Sequence, residues 1–137
     1  MHRLLVTALT VLALAGCGRL PVPGVPSPPG PAQHFDVVAT ERDSGSQLSL
    51  RVGQTLELVL AAPKGFQPWQ GVQIRPPGVL APIPDTAATA ARGVTVAAFR
   101  AAGPGSTEIS AYSEPDCPAN RACPAIVAVF NLKVVVT

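Results

Sequence analysis

Histidine is nearly missing from this 137-residue sequence: His2 and His34 are the only two. A serine or cysteine nucleophile therefore has no general base close to it in sequence, which argues against hydrolase machinery. The histidines are scattered, and His34 lies far in sequence from Cys117 and Cys123, which argues against a structural zinc set. Charged residues make up only 13 % of the chain, the formal net charge is +2, and the charges are dispersed. Without a basic block there is no footprint for nucleic acid, and without an acidic tail no reservoir for cations. No glycine-rich phosphate cradle occurs. Glu114 and Asp116 are close, but on a loop-like stretch around Pro115 such carboxylates are expected to be solvated rather than to work as acid and base. These absences predict a protein that is not an enzyme and needs no cofactor. Aromatic residues are 4 % of the total, so the core is expected to be aliphatic, with Phe99 and Phe130 inside.

Proline is what the chain does have, with 16 residues, and one apolar run stands out at the start. Leu4–Ala15 is interrupted only by Thr7 and Thr10 and follows the basic start Met1-His2-Arg3. Twelve helical residues reach about 18 Å, short of the roughly 30 Å hydrocarbon core. The run therefore predicts a signal-peptide core rather than a membrane span. It ends in Leu14-Ala15-Gly16-Cys17, which resembles the lipobox of bacterial lipoprotein precursors. The resemblance implies that residues 1–16 are removed and that the Cys17 sulfur carries a diacylglyceryl group. The protein would then be lipid-anchored in the cell membrane, on its extracytoplasmic side, with two or more acyl chains providing stable attachment. With Cys17 so used, Cys117 and Cys123 are left six residues apart in an oxidising compartment, and a local disulfide is expected. Residues 17–33 hold Pro21, Pro23, Pro26, Pro28, Pro29 and Pro31, which excludes helix and sheet and predicts a stiff spacer. Such a stretch also has the composition of a ligand for peptide-binding domains.

From residue 34 onward the pattern changes to short alternating runs separated by turn residues. Strands are predicted over 35–40, around Leu48, Leu50 and Val52, over the Leu56, Leu58 and Leu60 face, and over 69–75. Further strands are expected at 79–83, placed at an edge by Pro82, and at 94–101. Gly103-Pro104-Gly105 turns the chain into a strand with Thr107, Ile109 and Ala111 on one face. Residues 125–137 close the chain, with Phe130, Leu132, Val134 and Val136 aligned. Seven or eight strands without a long helix predict an antiparallel immunoglobulin-like β-sandwich over 34–137.

The segment Phe99–Ile109, the upstream Val52–Leu58 and Val79-Leu80 after Pro76-Pro77-Gly78 resemble chagasin-like inhibitors of papain-type cysteine proteases and bacterial Ig-like domains. The resemblance spans about residues 46–137 and implies a sandwich that presents three loops at one end to a protease cleft. The first family loop, Asn-Pro-Thr-Thr-Gly-aromatic followed by tryptophan, matches here at Pro63, Gly65, Phe66 and Trp69, without the asparagine and threonines. The second is glycine-rich, whereas 86–93 is alanine-rich. The third, Arg-Pro-Trp, keeps only Pro115, between Glu114 and Asp116, and the Cys117–Cys123 segment is inserted after it. Trp69 suits either a binding loop or a buried Ig-type core position. Phe66 likewise suits either role, and the cysteine loop either recognition or stability. The expectation is a monomeric, non-catalytic binding or structural module. Its partner is a protease or an envelope component, and protease inhibition is the alternative activity.

Overall fold

The structure is a computed structural model that describes residues 34–84 and 91–137. The leader 1–16, Cys17 and the proline-rich segment to residue 33 lie outside the described residues, as does 85–90 within the alanine-rich loop. Eight strands follow in order: β1 (Val37–Thr40), β2 (Gln47–Leu50), β3 (Thr55–Ala61), β4 (Gln70–Arg75), β5 (Leu80–Ile83), β6 (Val94–Ala101), β7 (Gly105–Ser113) and β8 (Ala128–Val136). They form two four-stranded sheets, ordered β1-β3-β6-β5 and β2-β8-β7-β4. This is an all-β, two-sheet sandwich of the chagasin and immunoglobulin-like kind.

Alternation builds the core. Leu56, Leu58 and Leu60 are at most 1 % exposed, because every second β3 side chain points between the sheets. On the facing sheet Ile109 and Ala111 from β7 and Phe130, Leu132, Val134 and Val136 from β8 do the same. Phe99 and Phe130 are both buried as expected. Each fully buried Leu or Ile contributes about 1.5–3 kcal/mol of apolar burial, so these two facing rows dominate the stability of the domain. Pro82 lies in β5, an edge strand, where its missing N–H costs no ladder bond.

Three expectations are corrected. The sandwich is not wholly antiparallel: β1 runs parallel to β3 and β2 parallel to β8. The cause is the corner between them. Thr40 N–H donates to the Asp43 carboxylate at 2.7 Å, closing a single 3-10 turn (Glu41–Asp43) that carries the chain from one sheet to the other. Val52 does not share the inward face of Leu48 and Leu50. Residues 52–53 turn, with Gly53 at φ +91°, and Val52 is left 52 % exposed. The last strand begins at Ala128 rather than 125, leaving Ile126 and Val127 outside the ladder and each 55 % exposed.

Candidate functional site

Strand directions bring three connections to one end of the sandwich. β3 ends there at Ala61, which pairs with Val94 at the start of β6. β7 ends there at Ser113, which pairs with Ala128 at the start of β8. The 62–69 loop, the described end of the 84–93 connection and the 114–127 loop therefore meet. Backbone hydrogen bonds join them: Ala62 N–H donates to Gly93 O at 2.7 Å, Gln67 N–H to Glu114 O at 2.8 Å, and Asp116 N–H to Gly65 O at 2.9 Å. The last two frame an isolated antiparallel bridge between Phe66 and Pro115.

Beneath this surface lies a buried polar brace. Trp69 is 7 % exposed, stands edge-on to Phe130 with ring centroids 6.2 Å apart, and donates its indole N–H to Ala61 O at 2.8 Å. Trp69 is thus a core residue that fixes the loop from below, and its ring is not available as a contact surface. Thr95 Oγ1 donates to Trp69 O at 2.8 Å, and the fully buried Ser113 Oγ donates to Gln67 O at 2.5 Å. Each ties a loop carbonyl to a strand side chain. Ser113 and Thr95 were not singled out from sequence. The signal for Ser113 was present, since it continues the inward register of Thr107, Ile109 and Ala111.

The outward residues of the first loop are Pro63, Lys64, Gly65 and Phe66, with Pro63 and Phe66 half-buried and Lys64 and Gly65 exposed. Gly65 adopts φ +81°, and the Phe66 N–H donates to Pro63 O at 3.0 Å, so the tip is a tight turn. Positive φ at Gly65 is a conformation that other residues rarely adopt. In the third loop Cys117 and Cys123 are disulfide-bonded, with Cα atoms 5.6 Å apart. The charged residues of this end, Lys64, Arg92, Glu114 and Asp116, are all exposed. A groove of about 500 Å³ runs beside the disulfide between Gln67, Glu114 and the 124–127 segment. Among the described residues no three His, Cys, Asp or Glu side chains cluster to hold a metal ion. The described part of this end is built from turns held together by hydrogen bonds.

No protein-family model matches the sequence, and no curated protein matches it significantly. In fold the chain is similar to the crystal structure of the cysteine protease inhibitor EhICP2 from Entamoeba histolytica. The TM-score is 0.54 at 15 % sequence identity, over 77 % of this chain and 99 % of that one. The solution structure of amebosin matches over 74 % of this chain and 97 % of its own, at 17 % identity and a TM-score of 0.43. The fold is thus shared with a cysteine protease inhibitor of the chagasin-like class.

Proposed function

We propose that this protein is a non-enzymatic, chagasin-like inhibitor of papain-type cysteine proteases. We further propose that lipid on Cys17 holds it at the extracytoplasmic face of a membrane. The observation that carries the first part is the bonded group of three loops at one end, with the Phe66–Pro115 bridge at its centre. Loops held by a rigid sandwich lose little conformational freedom on binding, which favours a tight, stoichiometric block of a cleft. The likeness in fold to EhICP2 supports the same reading.

The likeness of Leu14-Ala15-Gly16-Cys17 to a lipobox supports the second part. A second reading, a binding module for an envelope component, draws on the third loop. There Glu114 and Asp116 replace the family's cationic character and a disulfide-closed segment is inserted.

Both strands of every ladder and the whole core lie within residues 37–136, so residues 31–137 are a self-contained test object. Titrated into papain, this domain is expected to abolish hydrolysis at one equivalent. Phe66→Ala should weaken the inhibition by about tenfold or more, as for an aromatic anchor at an interface. Papain that stays fully active at a large excess of domain would rule out inhibition and leave the binding-module reading. For the anchor, Cys17→Ser should move the full chain from the membrane to the soluble fraction, and mass spectrometry of the mature protein should find a lipidated Cys17 at its amino terminus.

A further inference from the structure

We propose that the groove beside the Cys117–Cys123 disulfide is a specificity subsite for an extended partner segment carrying an arginine or lysine side chain. The inference deepens the reading of the loop end as a contact surface and rests on it. The groove has about 500 Å³ of open volume, enough for one long side chain and its backbone. Its lining includes apolar surface: Ile126 and Val127 are each 55 % exposed, immediately before β8. β-Branched side chains left that far from the core are a cost to a free monomer and a resource for a complex.

The rim is polar on the side facing the first loop. Gln67 and Glu114 line it, and among the described residues the Glu114 carboxylate has no hydrogen-bond or ion-pair partner. Arg121, the one cation in the same loop, is exposed and makes no ion pair among the described residues. Gln67 uses its amide oxygen to accept from Gln70 at 3.3 Å, which leaves its amide N–H groups for a partner's carbonyl. An unpaired carboxylate beside apolar surface fits an amphipathic cation. The aliphatic stem of an arginine or lysine covers Ile126 and Val127 while its head reaches Glu114. A neutral side chain would leave Glu114 partly desolvated and unpaired, and an acidic one would be repelled. The groove therefore discriminates by charge as well as by shape. The disulfide-bonded Cys117 and Cys123 line the groove.

The test uses the ¹⁵N-labelled 31–137 domain and three capped tripeptides, valine–X–valine with X arginine, norleucine or glutamate, at millimolar concentration. Support requires that the arginine peptide shift the amide signals of Glu114, Cys117, Cys123 and residues 125–127, and that it bind more tightly than the other two. Glu114→Gln should weaken the arginine peptide about five- to tenfold and leave the norleucine peptide unchanged. Ile126→Ser should weaken both, because both use the stem. Both positions are exposed, and the same spectra report whether each variant is folded. Equal binding of all three peptides, shifts confined to another face, or no shifts would each overturn the subsite. The papain titration is a separate readout. Inhibition without peptide binding rejects the groove and keeps the inhibitor, and peptide binding without inhibition does the reverse.

Discussion

The 62–69 and 114–127 loops sit side by side and share hydrogen bonds, yet they are held in opposite ways. The first sends its large aromatic inward: Trp69 packs on Phe130, and the loop rests on that anchor. The second keeps its large apolar residues, Ile126 and Val127, outside and is closed by a covalent bond instead. Length explains the contrast. A short connection follows the strand register closely enough for one side chain to reach the core. A longer one has more backbone to order than the core can hold, and cross-linking offsets that entropy. The lesson is that one end of a sandwich can combine a tip fixed by packing with a flank closed by a covalent bond.

Trp69→Ala is the most severe way to break this comparison. It removes a buried aromatic and its bond to Ala61 O, and should destabilise the domain by about 3–5 kcal/mol in urea unfolding. A variant with unchanged unfolding but lost papain inhibition would instead make Trp69 a contact residue. The paired change Cys117→Ser with Cys123→Ser tests the other loop. Opening so small a ring should cost about 2 kcal/mol, with faster amide exchange at 114–127 and little change at 62–69. If exchange rises equally in both loops, they are one unit and the contrast fails.

Ser113→Ala acts on the link between them. Leaving the Gln67 carbonyl without its buried donor should cost about 1–3 kcal/mol, with the Phe66–Pro115 bridge loosened in hydrogen exchange. Unaltered exchange there would mean the brace is redundant. The smallest effect belongs to the opposite end. Asp36 accepts from the Thr55 backbone N–H and hydroxyl, at 2.7 and 2.8 Å, and these bonds hold its carboxyl below the ordinary 3.8. A lowered folded value means that Asp36 stabilises the fold at pH above the unfolded value, and that this contribution fades as pH falls through the folded one. Asp36→Asn should therefore lower Tm slightly at pH 7 and converge with the parent in strong acid. A gap that widened on acidification would reverse the assigned sign.

Much of the fold was legible in the residues. The Leu56, Leu58 and Leu60 row and the Phe130–Val136 row have the two-residue period that a sheet with one buried face demands, and both are buried. Pro82 marked an edge because a missing donor is tolerated only there. The shape of the candidate site was less legible. Pro63, Gly65, Phe66 and Pro115 stood out as turn and contact types, but nothing local showed that Phe66 and Pro115 would meet, since that depends on β3 and β7 ending at the same side. Trp69 was undecided for the same kind of reason: a tryptophan after a loop suits core or contact, and only the position of Phe130 across the sandwich settles which. Ile126 and Val127 read as strand because they are apolar and β-branched, but the ladder begins two residues past Ile126, at Ala128.

By itself the sequence determined the strands and their buried faces, because alternation and turn chemistry act over a few residues at a time. Only the tertiary structure decided at which end of the sandwich β1 begins relative to the loops. That depends on the corner at Thr40–Asp43 and on β1 lying parallel to β3, a pairing between segments nearly twenty residues apart. An antiparallel first strand with the same side chains would begin at the loop end. The physical reason is that a strand's sequence specifies which face it buries, while its direction is set by which neighbour it hydrogen-bonds, and that choice is made by the whole sandwich.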